Sequence, residues 1–279
     1  MARVIPKTPG RHRQSAMRLL EQAVFILRMA PADLLPAYYI GSLPFILGLL
    51  YFWSDMSRSP DAGEYSASAA LVMALLFAWM KYCQALFAAR IYARLSHKPP
   101  DSLSYKRQGV QAASQTLLHS TGVFILPLAL LVTLPFGWCF AFYQNVTVLS
   151  QNECAGVRAL YRQAWQQARL WPTENHHLMA VIFIFSLTIF ANLAIAVYLF
   201  PQMLKTFFGY ESIFTLSSTK LLNTTFWITI LSLTYLCVDP LIKTVYALRC
   251  FYGLAITSGD DIRFELQGVI ANQQNIGRQ

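Results

Sequence analysis

Ionisable side chains set inside otherwise uncharged stretches are where chemistry would sit in this sequence. Lys81 stands within an apolar run that starts near Ser66. Asp239 closes another that starts at Leu221, and Lys243 follows four residues later. Placing a charge in hydrocarbon costs at least about 2.5 kcal/mol, so such positions serve pairing, a proton or substrate path, or an edge from which a long stem snorkels to water. A four-residue step puts Asp239 and Lys243 on one helix face, within reach of an ion pair, and a Lys81–Asp239 contact satisfies the charges equally well. At 1.5 Å per residue Lys81 lies about 23 Å along its helix from Ser66, near the inner edge rather than the midplane. That depth favours structural pairing and snorkelling over a conduction path.

The other chemistry-bearing residues form no recognised set. His176 and His177 are adjacent and point about 100° apart on a helix, and His119 is distant in sequence, so no metal or cofactor is expected. Cys83, Cys139, Cys154, Cys237 and Cys250 occur singly without C-x-x-C spacing and read as small buried hydrophobes. There is no G-x-S-x-G elbow and no nucleotide-binding loop. The chain does not read as an enzyme. An intramembrane enzyme using Lys81, Cys83 or a histidine ranks last among the functions considered.

The elements that must position these residues follow from composition. Of 279 residues, 56% are hydrophobic and 13% charged, against about 25% charged in soluble domains. Five blocks carry no charge at all: Leu34 to Ser54, Tyr65 to Met80, Gln108 to Asn152, Asn175 to Leu204 and Leu221 to Val238. Each reaches or approaches the roughly 20 apolar residues that span a bilayer. Spans are expected at Leu34 to Trp53, bent at Pro36 and Pro44, at Ser66 to Arg90, at Leu178 to Phe200, and from Leu221 to the Asp239-Pro240 step. The block from Gln108 to Asn152 is long for one crossing and tight for two, and Pro135 followed by Gly137 divides it into Ser114 to Leu134 and a short Phe136 to Ser150.

Basic residues arbitrate, because Lys and Arg concentrate in cytoplasmic loops. With six crossings, 18 of the 22 Lys and Arg fall inside, Arg58, Lys205 and Lys220 fall outside, and Lys81 lies within a span; five crossings give 13 against 8. The expected fold is therefore all-α, a six-span transmembrane helical bundle with interfacial amphipathic helices and both termini cytoplasmic. Residues 1–33 form a basic lead, disordered to about Gln14, with a weak amphipathic helix from Gln14 to Ala30. Residues 34–257 form the transmembrane domain, and 258–279 a polar tail with a short helix reaching about Leu266.

Within the bundle a cytoplasmic elbow helix is expected at 155–171. There Val157, Leu160, Tyr161, Ala164, Trp165, Ala168 and Trp171 share one side, and Arg158, Arg162, Gln166 and Arg169 the other; Pro172 ends it. It is read chiefly as a connector packed on the membrane domain, and second as a sensor of anionic lipid. The segment after Pro240, with Lys243 and Arg249 among Leu241, Val245, Tyr246 and Tyr252, also reads as interfacial. The net charge of +9 thus points to headgroups and not to nucleic acid, for which no basic motif is present. The partners expected are the bilayer and other membrane proteins.

From Leu134 to Leu170 the sequence LPFGWCFAFYQNVTVLSQNECAGVRALYRQAWQQARL joins a Pro-x-Gly break, a short apolar segment and an amphipathic elbow. In this it resembles a broad bacterial group that includes the YciC-like inner-membrane proteins and the membrane domain attached to some glycerophosphodiester phosphodiesterases. The resemblance extends over about Leu117 to Gly253 and implies a six-span bundle of the bacterial plasma membrane with a cytoplasmic elbow. The chain departs from the group at the elbow. Ser150 and Gln151 precede Glu153 where the group has an acidic residue directly, and Gln163 to Gln167 lacks the group's Arg-Ser pair. Asp239 to Leu266, DPLIKTVYALRCFYGLAITSGDDIRFEL, is similar to an uncharacterised bacterial group found near transglutaminase-like membrane proteins. The phosphodiesterase barrel has no counterpart, so the resemblance implies a bundle without an attached enzyme. The function expected is a non-catalytic membrane scaffold or accessory subunit. The alternative is a transporter or permease component, which helix breaks at Pro44, Pro127, Pro135 and Pro201 would favour.

Overall fold

The computed structural model describes residues 15–60, 62–96, 105–132, 136–150, 156–209, 211 and 223–258. Among them are eight α-helices: α1 (Ala16–Arg28), α2 (Leu34–Arg58), α3 (Ala62–Ser96), α4 (Tyr105–Val132), α5 (Phe136–Leu149), α6 (Val157–Arg169), α7 (Pro172–Phe208) and α8 (Thr224–Ser258). Five are long and apolar enough to cross a membrane, namely α2, α3, α4, α7 and α8. The expected count of six is not met on that measure. With 14 residues, α5 reaches only about 21 Å, short of the roughly 30 Å of a hydrocarbon core. The expected lead 1–14, the break at 133–135 and the tail beyond 258 lie outside the described residues.

Local chemistry accounts for the helix ends. Ser15 caps α1, its hydroxyl accepting the Arg18 amide at 3.4 Å. Pro172 does not terminate the elbow as expected. It opens α7 at its first position, where a missing N–H costs nothing, while the elbow itself stops at Arg169. At the other end of α7, Gly209 adopts φ 66° and its N–H closes on the Lys205 carbonyl.

The last span does not end at Asp239-Pro240 either. α8 continues unbroken for 35 residues to Ser258, so the segment after Pro240 is helix interior and not a separate interfacial piece. Proline removes the N–H that would bond the carbonyl four residues back, here that of Leu236. The Tyr39 hydroxyl donates to that carbonyl at 3.3 Å. The same arrangement recurs in α2, where Pro44 frees the carbonyl of Ile40 and the Trp79 indole N–H donates to it at 3.3 Å. In each case an aromatic donor from a neighbouring helix replaces the lost bond, which is how a proline is tolerated where water is absent.

Packing orders the helices. α2 and α3 form a close antiparallel pair made possible by Gly41 and Gly48: a Cβ on Gly41 would land on Cys83, and one on Gly48 would meet Leu76 at 2.8 Å. At one end of the bundle Arg58, the last residue of α2, donates to Thr225 at the start of α8 at 3.3 Å. At the other end, the second half of α8 gathers α1 (Tyr252 to Gln22, 3.2 Å), the end of α3 (Tyr92 against Phe251, 6.2 Å between rings) and the first turn of α7 (Arg249 to Asn175, 2.6 Å). The chain between Tyr92 and Asn175 therefore leaves and returns to the same end of the bundle.

α4 and α5 occupy that interval as an antiparallel pair. Gln115 meets Ser150 at 3.4 Å, His119 meets Thr147 at 3.2 Å, and Gly122 lies against Tyr143. Every residue of α5 from Ala141 to Leu149 is buried, so this short helix is also the most enclosed. The core runs from Leu34 and Tyr38 through Phe87 and Ile91 to Val146, Leu149, Leu160, Val245 and Tyr246.

Candidate functional site

Asp239 and Lys243, one turn apart on α8, form the expected i,i+4 ion pair at 3.4 Å. Both are buried, at 3% and 2% exposure. The second oxygen of Asp239 accepts the Tyr38 hydroxyl of α2 at 2.7 Å, and the Lys243 ammonium donates to the Gln144 side-chain oxygen of α5 at 2.6 Å. Three helices thus meet on one charge pair in which each ion also has a neutral partner, the condition for a buried pair to be tolerated. Between the two pairings the sequence left open, the structure forms Asp239–Lys243; among the described residues Asp239 makes no ion pair with Lys81.

Lys81 is half-buried beside this pair. Its ammonium donates to Gln84 Oε1 at 3.3 Å and stands 5.4 Å from the centre of the Phe77 ring. Gln84 donates onward to the Tyr235 hydroxyl at 2.7 Å, while the Lys81 carbonyl accepts from Gln115 at 2.9 Å. From Gln115 a polar line continues through His119, whose Nδ1 lies 3.0 Å from the Gln115 carbonyl, to Thr147, and from Tyr143 to Thr121 at 2.8 Å.

Arg249 corrects the sequence reading. Expected in an interfacial cytoplasmic segment, it is 2% exposed within the bundle, and Lys243 is buried likewise. Because α8 runs straight through Pro240, the residues after it are carried back into the helix packing. Two of the eighteen charges assigned to the inside therefore belong to the core. Arg249 donates to Asn175 at 2.6 Å and to the Leu170 carbonyl, and its guanidinium lies 6.0 Å from the Tyr246 ring; its Nε has no partner. Asn175 also accepts from Tyr246 at 2.9 Å and donates to the Gly137 carbonyl. One asparagine thereby ties α7 to α8 and to the first turn of α5.

The elbow arginines behave as expected. Arg158, Arg162 and Arg169 are exposed on α6, while Leu160, Ala164 and Ala168 are buried against the bundle. Tyr161 and Trp165 stack at 6.4 Å and remain partly exposed. The helix itself is shorter than 155–171 because Gly156, at φ 108°, precedes it and Leu170 caps it.

Sequence reasoning missed Tyr38, Gln84, Gln115, Gln144 and Asn175. All are uncharged, so a search for ions passes over them, although amides within apolar helices are a usable signal. His176 packs against Gly137, where a Cβ would meet its ring at 2.6 Å. No group of three metal-ligating side chains occurs among the described residues. Cys250 donates to Asn145 at 3.2 Å, as a buried thiol with a local partner. Comparison with family models, curated proteins and solved structures returns no match.

Proposed function

We propose that this chain is a non-catalytic scaffold or accessory subunit of a bacterial plasma membrane, crossing it six times with both termini cytoplasmic. The observation that carries the reading is that the buried Asp239–Lys243 pair finds its partners within its own bundle. The oxygens of Asp239 are taken by Tyr38 and Lys243, and Lys243 is completed by Gln144. A buried pair whose two charges each find partners on neighbouring helices rigidifies a core and specifies one packing. Groups already satisfied by protein do not offer themselves to a substrate.

Six crossings are supported by the return of the chain to one end of the bundle between Tyr92 and Asn175. An even number of crossings must fall in that interval, so α4 as a crossing requires α5 as its return. The shortness of α5 is accommodated by its burial among neighbours instead of in lipid. The bacterial setting rests on the resemblance of Leu134 to Leu170 to YciC-like proteins.

A transporter component is the second reading, favoured by the half-buried Lys81 and the polar line from Gln84 to His119. One of its expected openings is stopped, since Trp79 occupies the carbonyl that Pro44 releases.

Detergent-free extraction followed by mass spectrometry, together with solute flux in reconstituted vesicles, separates the two. The scaffold reading expects a second membrane protein in fixed ratio and no flux. A chain recovered without another protein that moves solute across the vesicle wall overturns it.

A further inference from the structure

α7 is the least supported of the long helices. Of its 37 residues only Asn175, Leu178 and Ile182 are buried, all within its first third. Farther along, Phe190 stacks on Trp227 of α8 with ring centres 6.0 Å apart. Asn192 lies about 200° around the helix from Phe190 at 100° per residue, on the face turned away from α8. It is exposed. The nearest charged residues on α7 are Glu174, 18 positions before it, and Lys205, 13 after it, so it sits about 20 Å or more from either polar end.

An amide at that depth on a lipid-facing surface is costly, because lipid supplies no hydrogen-bond partner. The Asn192 side chain donates to the Thr188 carbonyl at 2.9 Å. That uses one N–H and leaves a second donor and the amide oxygen.

The surroundings of Asn192 are ordered. Phe185, Thr188, Asn192, Ile195 and Leu199 follow one another at steps of three, four, three and four residues, and all five are exposed. An average step of 3.5 is the seam of a left-handed helix pair, with Asn192 at the position where a single buried asparagine fixes register. Ala191 and Ala196 flank it and permit close approach.

We infer that this seam is an interface with a second copy of the same chain, α7 against α7, closed by reciprocal Asn192 amide bonds. The occupant follows from polar complementarity. A carboxamide carries both donor and acceptor, so it satisfies itself across a two-fold axis. Two copies inserted in the same sense set their α7 helices parallel, the arrangement in which like positions of the seam face each other. No charged side chain lies on the seam to oppose the approach. The dimer stands independently of the scaffold reading, since a transporting chain could pair in the same way.

The test uses the full-length chain extracted without detergent into native-lipid discs, with the protein mass per disc measured. Two copies of the 31.6 kDa chain per disc are expected, whether or not the second protein of the scaffold reading accompanies them. Asn192→Leu is expected to weaken dimerisation by about five- to thirty-fold, and Asn192→Gln to retain it. Thermal unfolding of Asn192→Leu within one disc should match the parent, since the residue is exposed and its amide bonds to Thr188 of its own helix. In membranes treated with copper phenanthroline under air, in which oxygen takes up the two electrons, Leu199→Cys is expected to form a disulfide-linked dimer above the background of the native cysteines. Leu187→Cys, about 120° off the seam, is expected not to. A monomeric parent, an Asn192→Leu dimer as stable as the parent, equal cross-linking at both cysteines, or discs pairing one copy with a different protein each overturn the inference.

Discussion

Replacing Asp239 by Asn tests whether the buried ion set is a structural device. The change keeps the shape of the side chain and removes its charge. Two interactions are affected: the 3.4 Å pair with Lys243 and the 2.7 Å bond from Tyr38. Removing one partner of a buried pair costs about 3–5 kcal/mol, because the remaining charge is stranded. Bonds to a charged acceptor are worth about 1.5–3 kcal/mol, of which a neutral amide oxygen recovers roughly half. Gln144 still accepts from Lys243 at 2.6 Å, which limits the loss. A net destabilisation of about 3 kcal/mol is expected. Thermal unfolding monitored by size-exclusion in a fixed detergent should fall on the order of 10 °C. Lys243→Met in the same chain removes the stranded ammonium and should recover most of that fall, giving a coupling energy well above the error of a double-mutant cycle. Unchanged stability in the single variant, or no recovery in the double, would refute a structural role for the pair.

Four further outcomes follow from the geometry. Tyr39→Phe should destabilise by about 1–3 kcal/mol by stranding the Leu236 carbonyl, and should be nearly neutral in a Pro240→Ala background where the backbone N–H is restored; denaturation of the four chains reads both. Gly41→Ala should open the α2–α3 pair, since its Cβ falls on Cys83, and Cys83→Gly should restore it; unfolding temperatures of the single and double variants decide. Asn175→Leu should cost about 3 kcal/mol, because it strands Arg249 and Tyr246 together, and should appear as loss of folded yield. Single cysteines at Ser57, Gln166 and Gln279 test the crossings: an impermeant reagent should label the Ser57 site alone from outside, and outside labelling at Gln166 would remove the return through α5.

Much of the architecture was legible before any contact was known. Charge-free blocks marked α2, α3, α4, α7 and α8, since hydropathy and charge are properties of consecutive residues and a bilayer selects on them directly. The placement of Asp239 and Lys243 on one helix face and the exposed arginine side of α6 were equally readable, because helical geometry fixes which residues within a few positions share a face, while the choice between Lys243 and Lys81 as the partner of Asp239 stayed open. The proline rule misled at Pro172 and Pro240. It describes what a helix loses locally, and at Pro240 the loss is made good by a hydroxyl from a helix 197 residues away in sequence.

The tertiary structure decided what no local pattern encodes. Tyr38 reaches Asp239 across 201 positions, Gln144 reaches Lys243 across 99, and Arg249 reaches Asn175 across 74. Such partners depend on how helices are oriented and offset against one another, which the spacing of residues within each helix leaves free. The same holds for α5: its composition is that of any short apolar segment, and only its enclosure by α4, α6, α7 and α8 turns it from a helix too short to cross into the centre of the bundle.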